Sequence, residues 1–349
     1  MKVPVALGAR SYDVVIGPGV RHRLGEVLVE EGAGSQACVL ITSASLRTLP
    51  WFDAAFDVAT HVIEVPEGES AKTFETLERV CDELASLRVS RADVVVGVGG
   101  GALTDLAGFA AAVYLRGVRL IQVPTTLVGQ VDAAIGGKTA VNLASGKNLV
   151  GAFHQPVAVV CDYETLETLP ERERLSGLGE VAKCWLLEGG RAKDLSETSL
   201  EDLIIHSVTL KAKIVSADEF EGGRRALLNY GHTLAHALEV LVLERDPDEL
   251  RHGEAVSIGL GFAARLAHAL GRVDASMILN HDEVLEALGL RARVPGDLGT
   301  DEIIRAMSHD KKARHDLTFV LAGPGGFDVV RDVDPLVVAR VLEEFRGEQ

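Results

Sequence analysis

Cysteine is scarce in this chain. Only four of its 349 residues are cysteine, namely Cys38, Cys81, Cys161 and Cys184, and no two form a CxxC pair. That spacing argues against a Cys-based zinc framework or a disulfide scaffold and fits reduced thiols packed into a core. No apolar run approaches the ~18 residues that a membrane-spanning helix needs. Positive charge is in deficit: 35 Lys and Arg stand against 51 Asp and Glu, a formal net charge of −16. A polyanion such as nucleic acid, or an anionic membrane, would be repelled over most of such a surface. The opening MKVPVALGARSYDVV has no apolar h-region before its polar residues, so the expected location is the cytoplasm. Repeats, low-complexity tracts and long linkers are missing too.

What remains is an ordinary globular composition, 47% hydrophobic and 25% charged, in a chain long enough for two domains with sizeable cores. The first half alternates short β-rich runs (YDVVIG, ACVLIT, THVIEV, DVVVGV, VRLIQVP and VAVVCD) with amphipathic stretches. This rhythm predicts βαβ units and a mainly parallel sheet. From about Leu166 the pattern becomes helical, over 171–187, 199–216, 224–243 and 253–270, until LTFVLAG near residue 317. A boundary near 165 follows, giving an α/β domain over 1–165 and a mostly helical one over 166–349. The halves are expected to pack directly and leave a cleft.

The stretch DVVVGVGGGALTDLAGF runs from a buried strand through Gly97, Gly99, Gly100 and Gly101 into an Ala- and Leu-rich helix. Glycines there let backbone N–H groups approach a pyrophosphate at the positive end of a helix. The match to GxGxxG/A is formal (Gly97, Gly99, Ala102), and a tight turn explains it as well. Asp105 suits either a ribose or nicotinamide contact or a first-turn helix acid. Between Leu106 and Cys161 the basic residues Arg116, Arg119, Lys138 and Lys147 face a single acid, Asp132. Lys138 follows Gly136 and Gly137, and Lys147 and Asn148 follow Gly146, so two glycine turns would present cations to a phosphate or carboxylate. Solvated surface turns are the alternative. Thr125 and Thr126 suit hydroxyl contacts to a nucleotide or capping.

GLGEVAKCWLL sets Glu180 and Lys183 on one helix face, as an ion pair or as site residues. LRHGEAVSIGLGF places His252 at the start of a helix that should be buried. NYGHTLAHALE places His232 and His236 four apart, on one face of another. Together these supply enough donors for a His2Glu zinc site with one position open. Two assignments compete. Either both His232 and His236 bind the metal, or one binds it while the other acts on substrate. Thr233 stands where an HExxH protease would carry its glutamate, which excludes that class. Lys211, Arg224, Arg225, Asn229, Lys311 and Lys312 add cations and an amide that suit a substrate with at least two anionic groups, or a solvated surface.

The ordered blocks PEGESAKT, GGGALTDLAGFAAAVYLRG, VPTTLVGQVDAAIGGKTAVN, GKNLVGAFHQP, GLGEVAKC, KAKIVSADEFEGG, NYGHTLAHALE, HGEAVSIG and HDKK resemble the 3-dehydroquinate synthase family of the sugar phosphate cyclase superfamily. The resemblance runs from about residue 60 to 320 and implies an N-terminal NAD-binding, Rossmann-like domain, a helical metal- and substrate-binding C-terminal domain, and a homodimer. Carried over, it makes Glu180, His232 and His252 the ligands of Zn2+, with Co2+ as a substitute. It gives Asp132, Lys138, Asn148, Lys183, Lys211, Arg225, Asn229 and His236 to substrate, with Arg116 on the phosphate and Lys311 or Lys312 at the other end. Glu69, Lys72, Gly99, Gly100, Gly101, Asp105, Thr125, Thr126, Lys138, Lys147 and Thr168 become NAD contacts. Ser43 stands where the family often has Asp or Asn for the adenosine ribose.

The implied enzyme is a lyase, acting at the second step of the shikimate pathway. It converts 3-deoxy-D-arabino-heptulosonate 7-phosphate into 3-dehydroquinate and phosphate by transient oxidation, elimination, reduction, ring opening and aldol closure. Other expectations are a valiolone or 2-deoxy-scyllo-inosose synthase, a metal-dependent polyol dehydrogenase, and a dinucleotide-sensing module.

Overall fold

A computed structural model describes residues 1–32, 37–243, 249–290, 293–308 and 317–348. The chain divides into two compact units, one of Met1–Pro170 with Ser207–Phe220 and one of Glu171–His206 with Glu221–Gln349.

The first unit is built on a seven-stranded sheet. Its strands are β1 (Lys2–Val5), β2 (Tyr12–Ile16), β3 (Cys38–Ser43), β4 (His61–Val65), β5 (Val94–Gly99), β6 (Arg119–Pro124) and β9 (Ala158–Cys161), in the order β1-β2-β9-β6-β5-β3-β4. The β1–β2 pair is antiparallel and the others are parallel. Six of these strands are the apolar runs named above. In β3, β5, β6 and β9 those runs are nearly continuous because both sheet faces are covered, whereas the edge strand β4 is largely exposed. Val39, Ile41 and Val95 pack into one core with the helices Phe74–Ser86 and Gly101–Val113, while Leu40, Val94, Val96 and Val98 pack into another on the opposite face. From β3 the chain passes to β4 on one side and then to β5 on the other. That reversal makes a topological switch point, where open α/β sheets bind ligands at the strands' carboxyl ends.

A second sheet in this unit is a hairpin of β7 (Lys138–Leu143) and β8 (Gly146–Phe153). Lys138 follows the expected glycine turn, with Gly136 at φ +95° and Gly137 at φ +67°, and opens β7; the second turn falls at Ala144 and Ser145, so Gly146 and Lys147 already lie in β8. The strands approach so closely that a Cβ on Gly151 would overlap the Thr139 carbonyl oxygen.

Among its described residues the second unit is mostly helical, with a hairpin of β10 (Phe319–Gly323) and β11 (Gly326–Val330). Its centre is the helix His252–Ala269, whose small and apolar residues are buried almost throughout. It packs against the helices Glu171–Leu187, His232–Leu243, Ala275–Ala287 and Pro335–Glu348. The periodicity over 224–243 is interrupted: a 3-10 turn covers Arg224–Asn229, and the helix begins at His232 after Gly231, which has φ +79°. Among the described residues no helix is long and apolar enough to cross a membrane. The four cysteines form no disulfide, and burial pushes the Cys38 thiol up to about 12.

Candidate functional site

In the first unit, the residues matched to a dinucleotide follow the carboxyl ends of parallel strands: Ser43 ends β3, Glu69 and Lys72 follow β4, Gly99–Gly101 follow β5, Thr125 and Thr126 follow β6, and Thr168 follows β9. The β5 and β6 loops are tied together where Thr125 N–H donates to the Gly99 carbonyl at 2.9 Å. A Cβ on Gly100 would stand 3.0 Å from the Thr126 methyl, so this turn has little room for a side chain. Lys72, only 3% exposed, donates to Asp105 at 2.7 Å and also to the Asn148 side chain. Asn142 joins them, donating to Glu69 at 2.7 Å and accepting from the Asn148 N–H at 2.9 Å. Burial pushes the Asp105 carboxyl up to about 6 against the pull of Lys72.

Asn148 holds a left-handed φ of +58° and Arg116 one of +63°. Non-glycine residues there store backbone strain, which concentrates at functional positions. Asp132 accepts from Lys211, which is buried on the helix Leu200–Ala217. Lys138, Lys147 and Arg116 are exposed. Thr168 accepts from the Trp51 indole at 3.2 Å, and Ser43 caps the short helix Ala44–Arg47.

In the second unit, three helices bring Glu180, His232 and His252 together. A glycine adjoins each of these residues in sequence, and the packing gives the reason. A Cβ on Gly179 would overlap the Gly253 carbonyl, one on Gly253 the Ser176 carbonyl, and one on Gly259 the Gly231 carbonyl. The helices meet backbone to backbone, which carries the three side chains within reach of a common centre. His252 Nε2 lies 3.0 Å and His232 Nε2 3.3 Å from Glu180 Oε1, and ligand atoms of all three fall within 4.8 Å of one another.

Glu180 is fully buried and paired with Lys183, itself 1% exposed. Burial alone would raise the Glu180 pKa, but Lys183 and the two imidazoles outweigh it and hold the carboxyl well below its usual range. Burial disfavours a charged His252, yet hydrogen bonds to Glu180 and Glu239 hold its pKa up at about 10. The surroundings of Glu180 and His252 thus favour positive charge. Each imidazole also has its far nitrogen engaged: His232 Nδ1 is 3.1 Å from the Tyr230 carbonyl, and His252 Nδ1 is 3.3 Å from both Glu239 oxygens. Two imidazoles and a carboxylate, oriented from behind, match the donor set and outer shell of a zinc-type centre.

His236 lies one turn beyond His232 and is exposed, its ring edge-on to that of His232 at 5.2 Å. Arg225 is 2% exposed, and the Asn229 amide donates to Glu221 at 3.2 Å. Lys311 and Lys312 lie outside the described residues. Sequence reasoning missed Glu239, although it lies seven residues after His232 and on the same helix face. It also missed Asn142 and Glu221.

Two family models match, described as the N-terminal part of 3-dehydroquinate synthase over residues 62–176 and its C-terminal part over residues 177–313. The chain belongs to the 3-dehydroquinate synthase family. A protein of Amycolatopsis mediterranei (strain S699) named "Putative aminodehydroquinate synthase" is 49% identical over 98% of this chain and 93% of its own length. The 3-dehydroquinate synthase of Mycobacterium leprae (strain TN) is 43% identical over 90% of each chain. Among solved structures, 2-deoxy-scyllo-inosose synthase complexed with carbaglucose-6-phosphate, NAD+ and Co2+ matches with a TM-score of 0.86 at 25% identity, covering 99% of this chain and 100% of that one. As in that family, a Rossmann-like, mainly parallel sheet is followed by a helical region.

Proposed function

We propose that this chain is a 3-dehydroquinate synthase, converting 3-deoxy-D-arabino-heptulosonate 7-phosphate into 3-dehydroquinate and phosphate with NAD and a divalent metal. The convergence of Glu180, His232 and His252, in a chain of this family, carries the reading. Those three side chains would hold the ion, and Glu69, Lys72, Gly99–Gly101, Asp105, Thr125, Thr126, Lys138, Lys147 and Thr168 the dinucleotide. When bound, NAD+ takes up and returns one hydride, and a divalent ion makes the hydroxyl to be oxidised more acidic.

The chain's own residues bind and orient. Lys138, Lys183, Lys211, Arg225, Asn229 and Asn148 suit a substrate with a carboxylate and several hydroxyls, and Arg116 its phosphate. Asp132 keeps the Lys211 ammonium in place. Holding a dianion in register in this way lowers a barrier by several kcal/mol. His236 is exposed and clear of the Glu180 contacts, which suits a proton-handling role on substrate over a third imidazole ligand. Assembly as a homodimer and a cytoplasmic location belong to the same proposal.

A second reading rests on the 49% identity to the Amycolatopsis relative: a substrate in which an amino group replaces one hydroxyl. Phosphate release decides between them. The heptulosonate phosphate should release phosphate, dependent on NAD and abolished by a chelator, while glucose 6-phosphate and sedoheptulose 7-phosphate should release none. Faster release from the amino analogue would favour the second reading. Release from glucose 6-phosphate or sedoheptulose 7-phosphate alone would overturn both, and stoichiometric NADH accumulation at 340 nm would indicate a dehydrogenase.

A further inference from the structure

The geometry points to Glu239 as a positioning residue of the metal centre, one that sets which nitrogen of His252 faces the ion; this rests on the metal-dependent reading above. A neutral imidazole carries one N–H, and an ionised carboxylate can only accept. Glu239 presents both oxygens to His252 Nδ1 at the same 3.3 Å, so a proton on Nδ1 has an acceptor whether or not Nε2 also carries one. Here Nε2 donates to Glu180 Oε1, 3.0 Å away; an ion seated there would take that proton's place and leave Nδ1–H on Glu239 as the ring's one N–H. Without that acceptor the tautomer with its proton on Nε2 becomes available, and it blocks coordination.

The two imidazoles differ in how they are anchored. His232 relies on the backbone carbonyl of Tyr230, which no substitution removes. His252 relies on a side chain, 17% exposed, from the neighbouring helix. Glu239 follows His232 by seven residues and His236 by three, so one helix face carries a ligand, the substrate-side histidine and the carboxylate that orients the other ligand. The carboxylate–histidine arrangement also makes the ring a stronger donor, and loss of such a partner typically weakens metal binding ~10–100-fold.

A purely structural ion pair would fasten the start of the His252 helix without affecting the choice of tautomer. Glu254 supplies the comparison: two residues along the same helix it pairs with Arg172 at 3.0 Å. The zinc dissociation constant is measured by chelator competition for the parent chain, Glu239→Gln, Glu239→Ala and Glu254→Gln, each checked for an intact thermal transition. Glu239→Gln is expected to bind zinc ~10–100-fold more weakly, Glu239→Ala at least as weakly, and Glu254→Gln like the parent. Nitrogen-15 NMR of the zinc-loaded parent should show His252 protonated on Nδ1, a readout that needs no variant to fold. Parent-like zinc affinity in Glu239→Gln, equal weakening in Glu254→Gln, or a proton on Nε2 would overturn the inference alone. A parent chain that binds no divalent ion would overturn the reading beneath it.

Discussion

The Glu180–His232–His252 cluster and the Lys72–Asp105–Asn148 network are held in place in different ways. In the helical unit the three donors sit where backbones touch at Gly179, Gly253 and Gly259, so their positions follow from main-chain packing. In the sheet unit Glu69, Lys72, Asp105, Asn142 and Asn148, drawn from the turn after β4, the helix Gly101–Val113 and the β7–β8 hairpin, hold one another mainly through side-chain hydrogen bonds. Removing an imidazole from the first, His232 or His252, should delete a donor and leave the frame standing, whereas removing Glu180 would strand the buried Lys183 charge. Removing a side chain from the second should leave a buried partner unsatisfied and loosen its neighbours.

The strongest way to break that contrast is at the frame itself. Gly253→Ala drives a methyl into the Ser176 carbonyl and should destabilise the helical unit by about 3 kcal/mol or more, read as a lowered midpoint in denaturant. Next comes a donor: His252→Ala should abolish stoichiometric zinc and cut turnover ~10³-fold, consistent with losing several kcal/mol of charge stabilisation, with little change in folding. His236→Ala should keep its zinc and still lose ~10²-fold or more in turnover. Metal analysis of the two variants separates their roles.

On the sheet side, Lys72→Met removes a buried charged hydrogen bond worth roughly 1.5–3 kcal/mol. It should weaken NAD binding ~10–100-fold by titration while zinc content is unchanged. A smaller effect sharpens the helical side. His281 is fully buried, accepts from the Tyr230 hydroxyl at 2.7 Å and engages the Met277 carbonyl at 2.8 Å. Burial pushes its pKa down to about 4, whereas an unfolded histidine titrates near ~6.5. The unfolded chain therefore takes up the proton first, and stability complete above pH 6.5 falls as the pH drops toward 4. Between pH 7 and 5.5 the loss should be roughly 1 kcal/mol, and His281→Gln should flatten that part of the profile.

The parallel strands were legible because a strand buried on both faces must be apolar throughout, as Val94–Val98 is. The β7–β8 hairpin was not. Most of β8 is exposed, and it owes its place to Gly151 fitting against β7, a contact with no periodicity to read. The break at Gly231 escaped for a similar reason, since apolar spacing continues through the interruption. For the metal-type cluster, spacing within each helix left His232 and His236 open as joint ligands. Glu180 lies far away in sequence and reaches His232 only through packing. Glycines beside Glu180, His232 and His252 were the local trace of that packing. Glu239 was invisible because its role depends on where His252 lands.

Diffraction at the zinc edge from crystals of the parent protein is the most direct test. One anomalous peak is expected in the helical unit, bonded at ~2.0–2.2 Å to a Glu180 oxygen and to Nε2 of His232 and His252. A peak bonded to His236 in place of His252, or an ion bound away from Glu180, would contradict it.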